Sequence, residues 1–436
     1  MGAVALIHGH KNKLEFLTRH ARAIPARAIF SRCFIRDYSM YLKSFSRYLL
    51  CPITFGLLAF TTLNASANET VPGFVTEFER YIAESVAPEV PGAALAVVAD
   101  GKLYVLKGYG VRQAGTDLPV TADTVFRLAS VSKTIASTAA GLLVQDQQLK
   151  WDTNVYGTLE HVRFKNATYG AQVSLQDLLA HTSGLIPQAY TNLIEDNVPY
   201  DQVVQKLKSV DFSCAPKRCY GYQNVVFSLA GDIIQAKTGK TYEAFVQEQL
   251  FMPLGMYSAS FGLENLQRNT NYALPHVRRQ GRWKTARVSQ NYYNIAPAAG
   301  ANASINDMGK WLLAQMGQRP DVLTTETLDQ LQAKVVRTTV ARSHYGQLPA
   351  AVKTWYGLGW RVFDVGTHHN FVHHGGWVQG YRTEMVFNRE LNIGMVFLTN
   401  AETRLARDVI FKFVNAYEAE RQQQLALPEQ MITQTN

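Results

Sequence analysis

Residues 91–111 read PGAALAVVADGKLYVLKGYGV. Two apolar runs flank Asp100-Gly101, and an Asp-Gly pair between such runs is the strongest short-range signal for a β-hairpin. Near the other end, residues 381–400, YRTEMVFNRELNIGMVFLTN, predict a second hairpin whose strands meet at Asn388 to Leu391. The stretches WYGLGWRVF and NFVHHGGW add β character just before it. Between the two ends, from about 156 to 288, helical periods dominate, as in VSLQDLLAH and VVFSLAGDIIQAKTG, and RLARDVIFKFVNAYEAERQQQ predicts a closing helix. Strands at both ends with helices between them predict an α/β (α+β) fold in which one sheet is built from both termini and carries a helical insertion. The expected lobes are a sheet lobe at about 75–155 and 289–420 and a helical lobe at about 156–288, within one domain spanning 68–436. A cleft between two such lobes is a natural place for a site.

Composition narrows the function classes. The chain has 436 residues and a net charge of +9. Residues 1–67 hold nine Lys/Arg and two Asp/Glu, so +7 of that charge sits there and the remainder is close to neutral. With no basic run interleaved with aromatics in the body, a nucleic-acid partner is not expected. From Met40, the basic residues Lys43 and Arg47, an apolar run from Leu49 to Leu63 and the small residues Ala65-Ser66-Ala67 follow the pattern of a secretory signal peptide. The expectation is a leader over 1–67 with the true start at Met40, cleavage after Ala67, and a periplasmic or secreted product. The apolar run is short for a membrane span, which needs about 20 residues. Cys33 and Cys51 belong to the leader, and Cys51 lies at the start of the apolar run, the wrong place for a lipid anchor. Cys214 and Cys219 remain, closing the short loop CAPKRC, and an even pair in an exported chain suggests a disulfide. The alternative is two free buried thiols.

Three short patterns could carry chemistry. In FRLASVSKTIAS, residues 126–137, Ser130 and Lys133 are three apart, so on a helix they share a face. In CYGYQNVVFSLAGD, Tyr222 and Asn224 precede a helix; a tyrosine can relay a proton and a carboxamide can hold an amide, though Asn224 could equally be a plain helix cap. In HHGGWVQGYRTEMVF, His374 and Gly376 lie at a strand, where glycine admits a ligand close to the backbone. His368, His369, His373 and His374 form two adjacent pairs whose members point to opposite faces of a strand, which argues against a metal site. No Gly-x-Ser-x-Gly elbow occurs, which disfavours an α/β-hydrolase.

Together, Ser130-x-x-Lys133, Tyr222-x-Asn224 and His374-x-Gly376 resemble, in order and approximate spacing, the motifs of the serine β-lactamase and penicillin-binding protein superfamily, in its class C β-lactamase-like branch. PGAALAVV, LLAHTSGL, PLGM, YGLGW and Gly380-Tyr381 extend the resemblance over roughly residues 75–418. It implies a β-lactamase/transpeptidase-like fold, an antiparallel sheet flanked by helices with an inserted all-helical lobe. It also implies a serine hydrolase without a cofactor, with catalytic Ser130, Lys133 and Tyr222, and with Asn224, His374, Gly376 and Gln188 binding substrate. The oxyanion hole would be the backbone N–H groups of Ser130 and Trp377. The implied substrate is a small β-lactam, a D-amino-acid peptide or an ester, and the expected state is a monomer with no stable membrane span in the mature chain. Alternatives on the same scaffold are a D-alanyl-D-alanine carboxypeptidase or D-aminopeptidase, a carboxylesterase, and a penicillin-binding module that acylates without turnover. One departure stands out: class C enzymes have lysine where this chain has His374, whose unperturbed pKa of about 6.5 leaves it only partly charged near neutrality.

Overall fold

The computed structural model describes residues 70–339 and 352–433, with side chains as far as residue 426. The leader, with the expected start at Met40 and the expected cleavage after Ala67, lies outside the described residues. Residues from Asn68 onward form one compact unit.

The described residues contain thirteen strands: β1 (Gly92–Ala99), β2 (Lys102–Gly110), β3 (Val125–Arg127), β4 (Ser260–Phe261), β5 (His276–Arg279), β6 (Arg282–Thr285), β7 (Ala301–Ser304), β8 (Val336–Thr338), β9 (Lys353–Tyr356), β10 (Arg361–Val365), β11 (His368–Val378), β12 (Tyr381–Asn388) and β13 (Ile393–Thr399). Eight of them form one sheet in the order β2-β1-β13-β12-β11-β10-β9-β8. Every neighbouring pair in it is antiparallel. The Asp100-Gly101 turn joins β1 to β2, and β1 pairs on its other side with β13, Ala93 facing Thr399 and Ala99 facing Ile393. The two ends of the chain thus build the sheet jointly.

Successive side chains of a strand point to opposite faces, and in β1 both faces are covered. Ala94, Ala96 and Val98 join a large core that includes Ile135 and Ala139 of the helix Ser132–Gln145 and Met308 and Leu312 of the helix Ile305–Gln315. Ala93, Leu95 and Val97 join a second core with Phe74 and Phe78 of the helix Gly73–Tyr81 and Val409, Ile410 and Phe413 of the helix Leu405–Thr433. The edge strand β2 instead exposes Lys102 and Lys107, and charge on an edge discourages pairing with another chain.

The segment between the two halves of the sheet is mainly helical, yet part of the stretch expected to be helical is not. Residues 276–285 form the β5–β6 hairpin, turning at Gln280 and Gly281 with φ of +52° and +75°. Its strands, HVRR and RWKT, are charged and carry no apolar alternation, so nothing in their pattern signals a sheet. A small sheet, β3-β7-β4, also links the inserted region to the segment entering the helix Ser132–Gln145. Cys214 and Cys219 are joined by a disulfide, with Cα atoms 6.3 Å apart.

Phe78 stands edge to face with Phe413, ring centroids 5.2 Å apart, and clamps the two terminal helices onto the sheet. Phe78→Ala should lower unfolding stability by about 3–5 kcal/mol, as truncation of a buried phenylalanine does. Urea unfolding reads this, and a loss below about 1 kcal/mol would mean that this face lies outside the cooperative unit.

Candidate active site

Ser130 sits in a tight turn, Ala129–Val131, that runs straight into the helix Ser132–Gln145. Ala129 has φ +48°, a left-handed conformation that costs a non-glycine residue energy and that occurs preferentially at functional sites. Lys133 follows one helical turn later and is fully buried. Its Nζ donates to Asn224 Oδ1 at 2.8 Å and to the carbonyl of Ala298 at 3.0 Å, and lies 4.7 Å from the centre of the Tyr222 ring. Burial, aided by the nearby Arg361 charge, pushes the Lys133 pKa well below its ordinary value. A lysine so placed is available as a neutral amine, the form that can accept a proton.

Tyr222 is hydrogen-bonded to Ser130. Burial raises its phenol pKa, while the Arg361 charge and the bond to Ser130 pull in the opposite direction. Asn224 stands at the N-terminal cap of the helix Val225–Thr238, but its side chain makes no capping bond. It accepts from Lys133 instead, and donates to Gln188 Oε1 at 3.0 Å. Gln188 also donates its backbone N–H to the carbonyl of Tyr222 at 2.8 Å. One polar chain therefore connects Lys133, Asn224 and Gln188, with Tyr222 alongside. Ser132 belongs to the scaffold: its Oγ accepts the N–H of Ala301.

The third motif closes the site from the sheet side. β10 pairs with β11 only as far as His373, so beyond it that edge of β11 is free to meet the turn that carries Ser130. The approach is so close that a Cβ on Gly376 would lie 2.2 Å from the carbonyl oxygen of Leu128 and 3.2 Å from Ala129 Cβ. Only glycine fits there. Gly359 of YGLGW, at φ +74°, plays the same part against the helix: a Cβ on it would lie 2.4 Å from Ser137 Oγ and 2.7 Å from the Lys133 carbonyl.

His374 is placed differently from a substrate-binding cation. It is buried, with Nε2 3.0 Å from the Tyr356 hydroxyl and Nδ1 2.9 Å from the Gly375 carbonyl. Burial first, then the charge of Arg361, holds it well below its ordinary pKa and therefore neutral. The other neighbouring histidines also engage side chains: His368 with Glu418, His369 with Asp364, and His373 with Glu384. Burial pushes the Glu384 carboxyl up to about 8.

Arg361, a residue the motif reading passed over, brings positive charge beside Tyr222, and Arg382, Arg404 and Arg407 line the same cavity. The Arg361 guanidinium lies 5.6 Å from the ring centres of both Tyr222 and Tyr356, and the residue is 7% exposed. The available signal was an arginine opening the strand RVFDV, directly after YGLGW. Arg361, Ser130, Tyr222, Asn224, Gln188 and Gly376 line one cavity of about 990 Å³. Trp377 stands exposed at its rim, its indole N–H donating to Glu402 and its ring stacked against Arg382.

The sequence profile of the Beta-lactamase family matches residues 78–413. The chain belongs to the Beta-lactamase family. Among curated relatives of this family member are penicillin-binding protein 4 of Amycolatopsis lactamdurans, 32% identical over 181 residues (42% of this chain and 47% of that protein), and an unguisins hydrolase of Aspergillus campestris, 26% identical over 71% of this chain and 58% of that protein. Protein flp of Staphylococcus aureus is 26% identical over 71% of this chain and 60% of that protein. The matches thus span about half to three-fifths of the relatives' length. The solved octameric penicillin-binding protein homologue of Pyrococcus abyssi superposes with a TM-score of 0.67 at 22% identity, covering 79% of this chain and 76% of its own. That likeness shows the β-lactamase/transpeptidase-like fold, and family membership makes this the fold of a serine hydrolase. Among the described residues no helix is long and apolar enough to cross a membrane.

Two outcomes follow from this geometry. Gly376→Ala must displace β11 from the Ser130 turn, so any Ser130-dependent activity should fall at least about 100-fold, while circular dichroism still shows a folded chain; near-normal rates would show that the close approach is unimportant. The second concerns pH. The folded pKa of His374 lies below its unfolded value of about 6.5, so the unfolded chain binds the extra proton and stability falls as pH drops through that value. His374→Gln should reduce the slope of stability against pH between about 7 and 5 by roughly one proton, read by urea unfolding at several pH values.

Proposed function

We propose that the chain is a class C β-lactamase-like serine hydrolase that forms an acyl-enzyme on Ser130. The observation that carries the proposal is the buried Lys133, kept from charging and packed against Tyr222, which is itself hydrogen-bonded to Ser130. Ser130 Oγ bonds to the substrate carbonyl carbon while its proton passes into the Tyr222–Lys133 pair. The carbonyl oxygen takes up the negative charge between the N–H groups of Ser130 and Trp377, and one such donor is worth roughly 3–4 kcal/mol to the transition state. The tetrahedral adduct collapses, the amide C–N bond breaks, and the leaving nitrogen takes the proton back. Water then attacks the ester by the same route in reverse. Asn224 and Gln188 hold the substrate amide, and Gly376 keeps β11 close enough for Trp377 to take part.

Arg361 replaces the motif cation. A substrate carboxylate entering the cavity meets its guanidinium, while His374 keeps a neutral, supporting place behind the wall. This favours acidic substrates, β-lactams first and D-alanyl peptides second, over neutral esters. The leader pattern and the Cys214–Cys219 disulfide support export to an oxidising compartment, since such bonds are rare in the cytosol. The expected state is a monomer.

Intact-mass measurement of the chain from Asn68 with a penicillin, beside rates on a chromogenic cephalosporin, a D-Ala-D-Ala peptide and a short-chain ester, tests the reading. A transient adduct, absent in Ser130→Ala, with fast cephalosporin turnover supports it. A lasting adduct points to a penicillin-binding module, and turnover of peptide or ester alone to a peptidase or esterase. Full activity in Ser130→Ala sinks the mechanism. Arg361→Gln should raise KM for the carboxylate-bearing substrates about 10-fold or more and leave KM for the ester nearly unchanged; equal effects on both would remove the charge argument.

A further inference from the structure

His181, in the stretch LLAHTSGL, touches no substrate position and yet holds Tyr222 from three directions. Its backbone carbonyl accepts the N–H of Gly221 at 2.9 Å, and its imidazole Nδ1 accepts the N–H of Gln223 at 3.2 Å. The N–H groups of the two residues flanking Tyr222 are thereby tied to one residue. Between these two bonds the Tyr222 ring packs on the imidazole, centroids 4.3 Å apart.

Tyr356 also packs on the same imidazole, at 4.7 Å, and its hydroxyl is the partner of His374. Phe227 and Tyr220 complete an aromatic cage at 5.3 and 6.0 Å. Because Nδ1 accepts a hydrogen bond, the ring proton of the neutral form resides on Nε2. That Nε2 is buried with no hydrogen-bond partner among the described residues, surrounded by rings. A buried donor left without an acceptor is costly, as is the left-handed backbone of His181 at φ +58°. Leucine would fill the same space without the unpaired donor, so packing alone does not account for a histidine at this place.

We infer that His181 is a positioning residue that fixes the Tyr222 phenol in register with Ser130 and couples it, through Tyr356, to the strand motif at His374. The inference rests on the reading of Tyr222 as the proton relay. Burial first, and the Arg361 charge with it, keep the imidazole neutral, so its acceptor toward Gln223 persists across the working range of pH. Protonation would remove that acceptor and set a second cation near Arg361.

Two variants separate positioning from packing. His181→Phe keeps a ring against Tyr222 and removes the acceptor. His181→Asn removes the ring but returns an acceptor near the Nδ1 position, on a residue that tolerates the left-handed backbone. In His181→Phe, amide exchange across residues 220–224, read by mass spectrometry, should accelerate, and the acylation rate of Ser130 should fall about 10- to 100-fold with KM within about 2-fold of the parent. His181→Asn should restore most of both. Unchanged exchange and rate in His181→Phe would overturn the inference, as would an Asn variant no better than Phe when both melt equally early. If the parent chain is not acylated on Ser130 by any reporter, the hydrolase reading falls; amide exchange then still decides whether His181 fixes Tyr222.

Discussion

An amine with no route to water sets the terms for everything around it. Lys133 is sealed under Tyr222 and Phe227 and given two acceptors, Asn224 and the Ala298 carbonyl. Burying a charge without a full counter-charge is expensive, so the group shifts toward its neutral form. Among the described residues no carboxylate is a hydrogen-bond partner of Lys133, and Arg361 adds repulsion. Each of these features works against a structural ion pair and toward a proton acceptor beside a serine hydroxyl. The rest of the fold reads as the means of keeping that arrangement in place: the helix that fixes the Ser130–Lys133 spacing, the strand that closes over it, and the inserted segment that supplies Tyr222 and Asn224.

The architecture was legible where the patterns were regular. The β1–β2 and β12–β13 hairpins follow from apolar runs around turn residues, and the meeting of chain ends in one sheet follows from having strands at both. The β5–β6 hairpin was hidden because its pairing rests on backbone bonds and a left-handed turn, with charged side chains that carry no period. The site divides along a similar line. Ser130, Lys133, Tyr222 and Asn224 announce themselves by short spacing, and the structure brings them together. Arg361 gives no such notice, for its relevance comes from a fold that lays the start of β10 beside Tyr222. A motif reading leaves His374 partly charged; burial and a neighbouring cation keep it neutral, and neither is visible in the chain before it folds.

Charge is handled with similar economy along β11. Successive residues there face opposite sides, so His373 meets Glu384 on one face while His374 meets Tyr356 on the other. Two adjacent imidazoles, chemically alike, thus answer to different surroundings. One shares a proton site with a carboxyl whose affinity for protons is raised by burial. The other anchors the aromatic group that stands against Tyr222.

The pairing of β1 with β13 has a consequence for how the protein comes into being. A nucleophile that attacks carbonyls is a hazard inside the cell that makes it. In this chain Ser130 is synthesised long before Arg361, Gly376 and Trp377, and β1 must wait for β13 before the sheet can close. Contacts of such sequence separation form slowly and late. The proposed site around Ser130 therefore cannot be complete until the late strands have been made and paired. Topology thus ties assembly of the proposed site to the last strands of the sheet.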